Sequence, residues 1–410
     1  MISFLLLLFV FLNPLKTTNV LLRVGPLDWY NFIYIAIIIG WILKQDEKWI
    51  DHPLNKYFLI FIVMFIFSYF RGLAGPNSLD QVENLKHLKA IVTEVFLFFV
   101  FLNFIYSKRQ ISMMVYLTAI VLLIEAVICS QQYYEAVAEF GADFSWSLKA
   151  RITGTFLVGT GGSGTASANE AGSFFSLYIL FIWGYAVYCQ NKRTKIILFI
   201  VGLVCIFPMM FTQSRGAWLG FLFSITFYMI RNNKRLLIVF GILFVLAIPF
   251  LPASVSERGS GIGDNSAQSR LTFWFEAISA MTNPIYFLFG TGFNQANLYI
   301  GMDAHNSYIR IMLETGMFGL IFFVIFTYWL YKYFNFYLQN IEDPVYKGFL
   351  LGTVLAFNSF IILNMVGTRL FNGAVAATMW AIMGVAIKIG IMRESEVEEE
   401  EEMAMQEVSG

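Results

Sequence analysis

Long runs of apolar residues, separated by short polar stretches, follow one another along most of the chain. A bilayer core about 30 Å thick needs roughly 20 apolar residues in a helix, and runs of about that length recur throughout the sequence. They predict about 12 spans, at 2–20, 27–44, 55–72, 84–106, 111–131, 166–189, 194–212, 216–231, 235–252, 305–334, 346–366 and 371–391. The pattern therefore predicts an all-α polytopic membrane protein.

Two of the connections between these spans are long. One covers 132–165, and the other covers 253–304, between the ninth and tenth spans. Long loops in compact proteins are usually functional or disordered, and the aromatic, Gly and Arg residues in these two favour a function. Within the second loop, 269–282 combines Trp, Phe and Leu with few charges, so we expect it to lie along the membrane interface.

The composition agrees with a membrane location. Hydrophobic residues make up 58% of the 410 residues and charged residues 13%, whereas a soluble domain has about half apolar and a quarter charged residues. This excludes a soluble globular enzyme, a disordered protein and a secreted disulfide-rich scaffold. We divide the chain into a membrane domain, 1–393, and an acidic tail, 394–410, which we expect to be disordered and cytoplasmic.

The Lys and Arg residues predict the orientation. One set of alternate connections holds 15 of the 27, the other set holds nine, and three lie within spans. Because cytoplasmic loops carry the excess of Lys and Arg, the first set is predicted to be cytoplasmic. Both termini are then cytoplasmic, and both long loops are external.

Four arginines and one histidine fall on the side where basic residues are disfavoured: Arg151, Arg215, Arg270, Arg369 and His305. An Arg fork binds phosphate through two parallel hydrogen bonds, and the external face suggests a phosphate or diphosphate carried by a lipid. His305, at the start of the tenth span, has a side chain suited to proton transfer. The alternatives are that His305 caps a helix and that Arg215 anchors to headgroups.

Other polar features indicate structure rather than chemistry. Arg310 and Glu314 are four residues apart on the tenth span, which predicts an ion pair. The GTGFN segment at 290–294 lacks the frame of a dinucleotide-binding fingerprint. The three cysteines lack metal-ligand spacing, and we expect neither a metal nor a cofactor.

Three segments together resemble the bacterial O-antigen ligase and O-antigen polymerase superfamily of membrane glycosyltransferases. They are RITGTF with the region of Asn169, SRGAWLG at 214–220, and the stretch from Arg270 to Gly319. The last is the most specific, since an Arg and an aromatic segment precede NP, GTG, HNSY and finally E-x-G-x-x-G-L. The hydropathy resemblance covers most of the chain.

The resemblance implies an inverting, metal-independent transfer from an undecaprenyl-diphosphate-linked glycan at the external face of a bacterial inner membrane. Arg215 and Arg270 would hold the diphosphate, and His305 would act on the acceptor hydroxyl. Further substrate contacts are assigned to Arg151, Asn169, Asn306 and Arg369. The segment 154–169 is longer and richer in Gly than the usual link, which leaves the role of Asn169 open.

The acceptor remains open between a second lipid-linked repeat, a lipid A core and a protein hydroxyl. We expect the partners to be the lipid-linked donor, one such acceptor and membrane lipids, but no nucleic acid. A non-enzymatic transporter of lipid-linked glycan or a small molecule is the alternative. Transporters place polar residues near the middle of the bilayer, whereas the distinctive charges of this chain are predicted near the external face.

Overall fold

The computed structural model describes most of the chain. The described residues are 2–13, 15, 23–24, 27–28, 35–37, 39, 50, 52–74, 81–105, 107–140, 151–156, 164–232, 234–247, 266–301 and 304–409. Parts of both predicted external loops, 141–150, 157–163, 253–265 and 302–303, lie outside this set.

The described part is almost entirely helical. Its helices are α1 (Ile2–Leu12), α2 (Pro53–Leu73), α3 (Gln81–Phe104), α4 (Lys108–Phe140), α5 (Gly164–Tyr188), α6 (Lys192–Phe211), α7 (Arg215–Asn232), α8 (Lys234–Ala247), α9 (Ser266–Ala280), α10 (Pro284–Phe289), α11 (Ala296–Ile300), α12 (Ser307–Asn340), α13 (Pro344–Met365) and α14 (Gly373–Ser409), with a 3-10 turn at Arg369–Phe371. Two strands of two residues each, Arg23–Val24 and Leu27–Asp28, pair antiparallel.

Seven helices of the described part are long and apolar enough to cross a membrane. They are α2, α4, α5, α6, α12, α13 and α14. Each coincides with a predicted span, and their outward side chains include apolar rows such as Leu59, Val63, Phe67 and Phe70 on α2. Such rows suit lipid contact. The prediction of a polytopic α-helical membrane protein is therefore confirmed.

The count of twelve spans is not confirmed. Helices α3, α7 and α8 coincide with three further predicted spans, but they are not among the seven helices of the described part that are long and apolar enough to cross a membrane. Within the span predicted at 2–20, helix α1 ends at Leu12, and the buried Asn13 that follows donates from Nδ2 to Thr378 Oγ1 at 3.1 Å; residues 14 and 16–20 lie outside the described set. The span predicted at 27–44 begins with a strand at Leu27–Asp28, so its predicted start is wrong.

Two segments are more helical than the sequence pattern predicted. Helix α4 continues to Phe140, so 132–140 is not loop as predicted. Helix α14 continues through the acidic tail to Ser409, where we expected disorder. Ala, Glu, Met and Gln are strong helix formers, and extending an existing helix avoids the cost of nucleation. The tail is therefore described as a helical extension of the last span.

Aromatic packing joins α2 to three other helices. Phe58 stacks on Phe98 of α3, with ring centroids 3.5 Å apart, and meets Phe326 of α12 edge-on at 4.8 Å. Phe58 and Phe61 both contact Trp380 of α14. Aromatic pairs contribute about 0.5–1.5 kcal/mol each beyond their buried area. This cluster gives the high Phe content a structural role.

Glycines allow α5 and α13 to approach closely. A Cβ on Gly184 would lie 2.3 Å from the backbone nitrogen of Gly352, and one on Gly352 would lie 2.3 Å from the carbonyl oxygen of Phe181. Gly348, one turn before Gly352, packs on Tyr185 in the same way. Small residues at such spacing let membrane helices pack backbone to backbone. Both helices are largely buried inside the bundle.

Helix α12 is broken at Gly316, whose φ is 77° and ψ is −174°. The segment before α11 fills the break: Thr291 N donates to Leu313 O at 2.7 Å, and Gly292 N donates to Glu314 O at 3.2 Å. A Cβ on Gly316 would lie 2.2 Å from Leu288 O. The GTGFN segment is thus a close-packed plug, and the helix at the span predicted over 305–334 has a break that the sequence did not predict.

The end of the bundle that holds the α4 start and the α12–α13 connection is basic. Lys108 pairs with Asp343 at 2.6 Å, and Lys347 lies over the ring of Tyr188 at 5.6 Å. Burial raises the pKa of Asp343, but hydrogen bonds from Lys108 and the Tyr346 N–H outweigh burial and hold the pKa below its usual value. These Lys residues belong to the set predicted to be cytoplasmic.

Candidate functional site

Arg215 is the first residue of α7 and follows a tight turn from α6. Thr212, Gln213 and Ser214 in the turn are buried, and Gln213 has a φ of 53°. Thr212 Oγ1 donates back to Met209 O at 2.7 Å. The turn holds the partly exposed Arg215 at a helix N-terminus, where the helix dipole disfavours a cation and favours an anion. A bound anion would relieve that conflict.

Arg151 is buried beside this turn and fastens it to two other segments. Its Nε donates to Thr212 O at 2.9 Å, and its Nη2 donates to Asn169 Oδ1 at 2.8 Å. The structure therefore brings Arg151 and Asn169 together, next to the turn that carries Arg215. Both side chains make hydrogen bonds within the protein here, and their contact with a substrate stays a prediction.

The RITGTF segment docks on a polar row of α4. Gln132 Oε1 accepts from the backbone N–H groups of Thr153 and Gly154, at 3.1 and 2.9 Å. Glu125 is fully buried and accepts from Thr155 N at 3.0 Å and from the Thr155 hydroxyl. Sequence reasoning missed both residues. The sequence did contain a signal for both residues. Glu125 is an acid within an apolar span, where such a residue is costly, and Gln132 stands seven residues later, on the same face of the helix.

His305 lies two residues before the start of α12, outside the helix. It is partly exposed and has a φ of 48°. The helix is capped by Asn306, whose Oδ1 accepts from Tyr308 N at 2.9 Å and Ile309 N at 3.1 Å. The capping role weighed for His305 thus belongs to Asn306.

The connection after α13 joins the start of α12 to the start of α7. Ser307 donates from Oγ to Asn364 Oδ1 at 2.5 Å and from its N–H to Gly367 O at 3.2 Å. A Cβ on Gly216 would lie 2.7 Å from Val366 Cγ2. Because residues 364–367 contact both helix starts, Arg215 and His305 lie at the same end of the bundle.

Arg369 and Arg270 reach this end from two other elements. Arg369 opens the 3-10 turn two residues after Gly367. Helix α9 is tied to the same place by Trp274, whose Nε1 donates to Ala304 O at 3.0 Å. Arg270 is one helical turn before Trp274 and on the same face. The structure thus places Arg270 on the helix that contacts the residue next to His305.

The long helices that begin at this end include α7 at Arg215, α12 at Ser307 and α14 at Gly373. Each N-terminus carries a partial positive charge from its helix dipole. Together with the Arg side chains they make a positive region that suits phosphate groups. Among the described residues, no group of three or more His, Cys, Asp or Glu gathers as metal ligands would.

The ion pair predicted between Arg310 and Glu314 is confirmed. Arg310 Nε lies 2.8 Å from Glu314 Oε1, and Glu314 is fully buried. Arg310 also donates to Asn294 Oδ1 at 3.3 Å and lies over the Phe371 ring at 4.1 Å. Through Asn294 and Phe371, the pair therefore connects the GTGFN plug to the 3-10 turn that begins with Arg369.

Comparison with protein-family models matches part of the chain. A family model described as O-antigen ligase matches residues 200–324, and this match confirms the resemblance to the O-antigen ligase and polymerase superfamily. The matched stretch contains Arg215, Arg270 and His305, whereas Arg151, Asn169 and Arg369 lie outside it. No curated protein matches the chain.

Proposed function

We propose that this chain, with its O-antigen ligase match over 200–324, transfers a glycan from an undecaprenyl-diphosphate-linked donor to an acceptor hydroxyl. One observation carries the proposal. The contacts of Ser307 with Gly367 and the approach of Gly216 to Val366 gather the segments of Arg215, His305 and Arg369 at one end of the bundle. A positive site beside a histidine suits transfer from a diphosphate.

The reaction follows from the roles of these groups. The acceptor oxygen attacks the anomeric carbon, the bond from that carbon to the diphosphate oxygen breaks, and its electron pair leaves on the diphosphate. His305 takes the proton of the acceptor hydroxyl. Arg215 and Arg270 stabilise the charge on the leaving group through forked hydrogen bonds. Direct attack of this kind inverts the anomeric centre, and the scheme requires no metal.

Arg369 joins the donor-binding set in this proposal, and Arg151 and Asn169 support it from behind. Arg369 follows Gly367, which accepts from Ser307 N at 3.2 Å, so it is close in the chain to the His305 junction. Arg151 acts on the substrate indirectly. Its Nε donates to Thr212 O at 2.9 Å and so holds the turn that positions Arg215. Asn306 acts as the helix cap that sets the position of His305.

The membrane location follows from the same scheme. A lipid-linked donor is assembled in a bacterial inner membrane and used at its external face. The site lies at the end opposite the Lys108–Asp343 pair, whose Lys belongs to the set predicted to be cytoplasmic. The acceptor remains open between a second lipid-linked repeat, a lipid A core and a protein hydroxyl, because all three share the same donor chemistry.

One observation favours the transporter as the second candidate. Broken membrane helices often form the substrate sites of transporters, and α12 is broken at Gly316. Here, however, Leu288 O and the N–H groups of Thr291 and Gly292 occupy the break. In the described part of the chain, the backbone at the break is therefore in contact with other protein atoms.

The test is turnover by the purified protein in detergent, with an undecaprenyl-diphosphate-linked glycan and each candidate acceptor in turn. We expect release of undecaprenyl diphosphate with formation of a longer or transferred glycan. Intact donor after incubation, together with movement of donor across the membrane of proteoliposomes, would support the transporter and overturn the proposal.

A further inference from the structure

A cavity of about 250 Å³ opens at the basic end of the bundle, away from the proposed site of glycan transfer. It lies among α5, α7, α12 and α13. Its lining includes the cations Arg231 and Lys347, the amides of Asn335 and Asn358, and the ring of Tyr188. Polar side chains between membrane helices are costly unless they have a partner or a function.

The two cations at this cavity have no carboxylate partner among the described residues. Arg231 donates from Nη1 to the Tyr331 hydroxyl at 2.6 Å and lies over the Phe227 ring at 5.9 Å. A guanidinium has five N–H donors, so one such bond leaves most of its capacity for a ligand. Asp343, the nearest acid along the chain to Lys347, pairs instead with Lys108 at 2.6 Å.

Helix electrostatics account for only one of these cations. Arg231 is in the last turn of α7, where a helix dipole favours a cation. Lys347 is in the first turn of α13, where the dipole favours an anion and opposes a Lys. The position of Lys347 is therefore not explained by the helix that carries it. A bound anion would be favourable for both Lys347 and that helix N-terminus.

Asn358 gives an independent sign that the cavity holds a ligand. Only 4% of it is exposed, and its side chain makes no hydrogen bond to the described part of the protein. It lines the cavity eleven residues after Lys347, which is about 16 Å along a helix. Buried amides normally have a hydrogen-bond partner, so we expect the occupant or its bound water to supply one.

We propose that this cavity binds a phosphate-bearing anion through Arg231 and Lys347. Basic pockets between membrane helices on the cytoplasmic side bind anionic lipid headgroups, and the basic end of this bundle is predicted to be cytoplasmic. The phosphate belongs to an anionic phospholipid or is free in solution. The site is separate from the donor diphosphate, which is bound at the opposite end.

The experiment is a thermal-shift titration of the purified full-length protein in neutral detergent. The probes are short-chain phosphatidylglycerol, short-chain phosphatidylcholine and inorganic phosphate. The variant Arg231→Gln/Lys347→Gln removes the two cavity cations. The matched control, Lys192→Gln/Arg193→Gln, removes two exposed cations at the same end that do not line the cavity. Val354→Phe fills the cavity and keeps its charges.

We expect phosphatidylglycerol to stabilise the wild type and the control, and to bind the cavity double variant at least about tenfold more weakly, as for loss of charge-assisted hydrogen bonds. Val354→Phe should also weaken binding of phosphatidylglycerol. If the double variant does not fold, the binding measured for Val354→Phe is the test of the proposal. Equal stabilisation by inorganic phosphate, with the same dependence on the variants, would identify free phosphate as the source. Absent binding, equal loss in the control, or equal binding of phosphatidylcholine would overturn the proposal.

Discussion

At the scale of single residues, two arginines at the same end of the bundle have different surroundings. Arg151 is 8% exposed and hydrogen-bonded to Asn169 and to Thr212 O, whereas Arg215 is partly exposed at a helix N-terminus. The sequence placed both on the external side but could not separate them. The difference depends on which backbone carbonyls surround each guanidinium, and that depends on the folding of the RITGTF segment.

Replacement of Arg151 should mainly reduce stability. In Arg151→Met, Thr212 O and Asn169 Oδ1 each lose the hydrogen-bond donor that Arg151 supplies. Each unsatisfied buried group costs about 1–3 kcal/mol of stability. We expect a clear fall in the melting temperature in detergent, while Arg215→Met changes it little. A normal melting temperature for Arg151→Met with loss of donor binding alone would assign Arg151 to the substrate instead.

Replacement of Arg215 should mainly reduce activity. Arg215→Lys keeps the charge but loses the fork that matches a phosphate, so we expect most transfer to be lost while the protein still folds. Arg193→Lys, at the basic end, should have normal activity. The measurement is the rate of undecaprenyl diphosphate release. If Arg215→Lys is as active as the wild type, Arg215 is an anchor to headgroups.

At the scale of elements, the hydrophobic pattern predicted where helices run but not where one of them breaks. Residues 305–334 are apolar enough to suggest one span, yet α12 begins at Ser307 and is interrupted at Gly316. The break depends on long-range backbone contacts with Leu288 and Thr291. The Arg310–Glu314 pair, by contrast, was predictable because it depends only on a spacing of four residues.

The break can be tested with two glycines that share a left-handed backbone. Gly316 has a φ of 77° and no room for a Cβ, whereas Gly301 has a φ of 70° and nothing within 4 Å of that position. Both Ala variants carry about 1–2 kcal/mol of backbone strain, but only Gly316→Ala also pushes against Leu288 O. We expect Gly316→Ala to lose far more stability and transfer activity than Gly301→Ala. Equal effects of the two variants would mean that the plug is not tightly packed.

At the scale of the whole molecule, the sequence predicted the class of fold and the separation of the charged groups. Seven predicted spans are helices that could cross a membrane, and Lys108 and Lys347 lie at the end opposite Arg215. The sequence could not predict that RITGTF docks on Glu125 and Gln132, because such contacts join residues more than 20 positions apart. The helical acidic tail was also missed, since high charge outweighed helix propensity in our prediction.

The orientation gives a test at this scale. In a Cys189→Ala background, a cysteine at the exposed Thr282 should react with an impermeant thiol reagent added outside intact cells. A cysteine at the exposed Asn232 should not react until the membrane is opened. The reason is the excess of Lys and Arg on the Asn232 side. The reverse labelling pattern would put the proposed site in the cytoplasm.

The division of roles between the arginines and His305 is tested most directly by comparing donor binding with transfer in His305→Ala. We assign the donor diphosphate to Arg215 and Arg270 and the acceptor proton to His305, which lies outside the α12 cap formed by Asn306. We expect His305→Ala to bind the lipid-linked donor as the wild type does, to keep its melting temperature, and to lose about 10²–10⁴-fold in transfer rate. Weak donor binding with normal transfer at saturating donor, or a normal transfer rate per folded molecule, would contradict this division of roles.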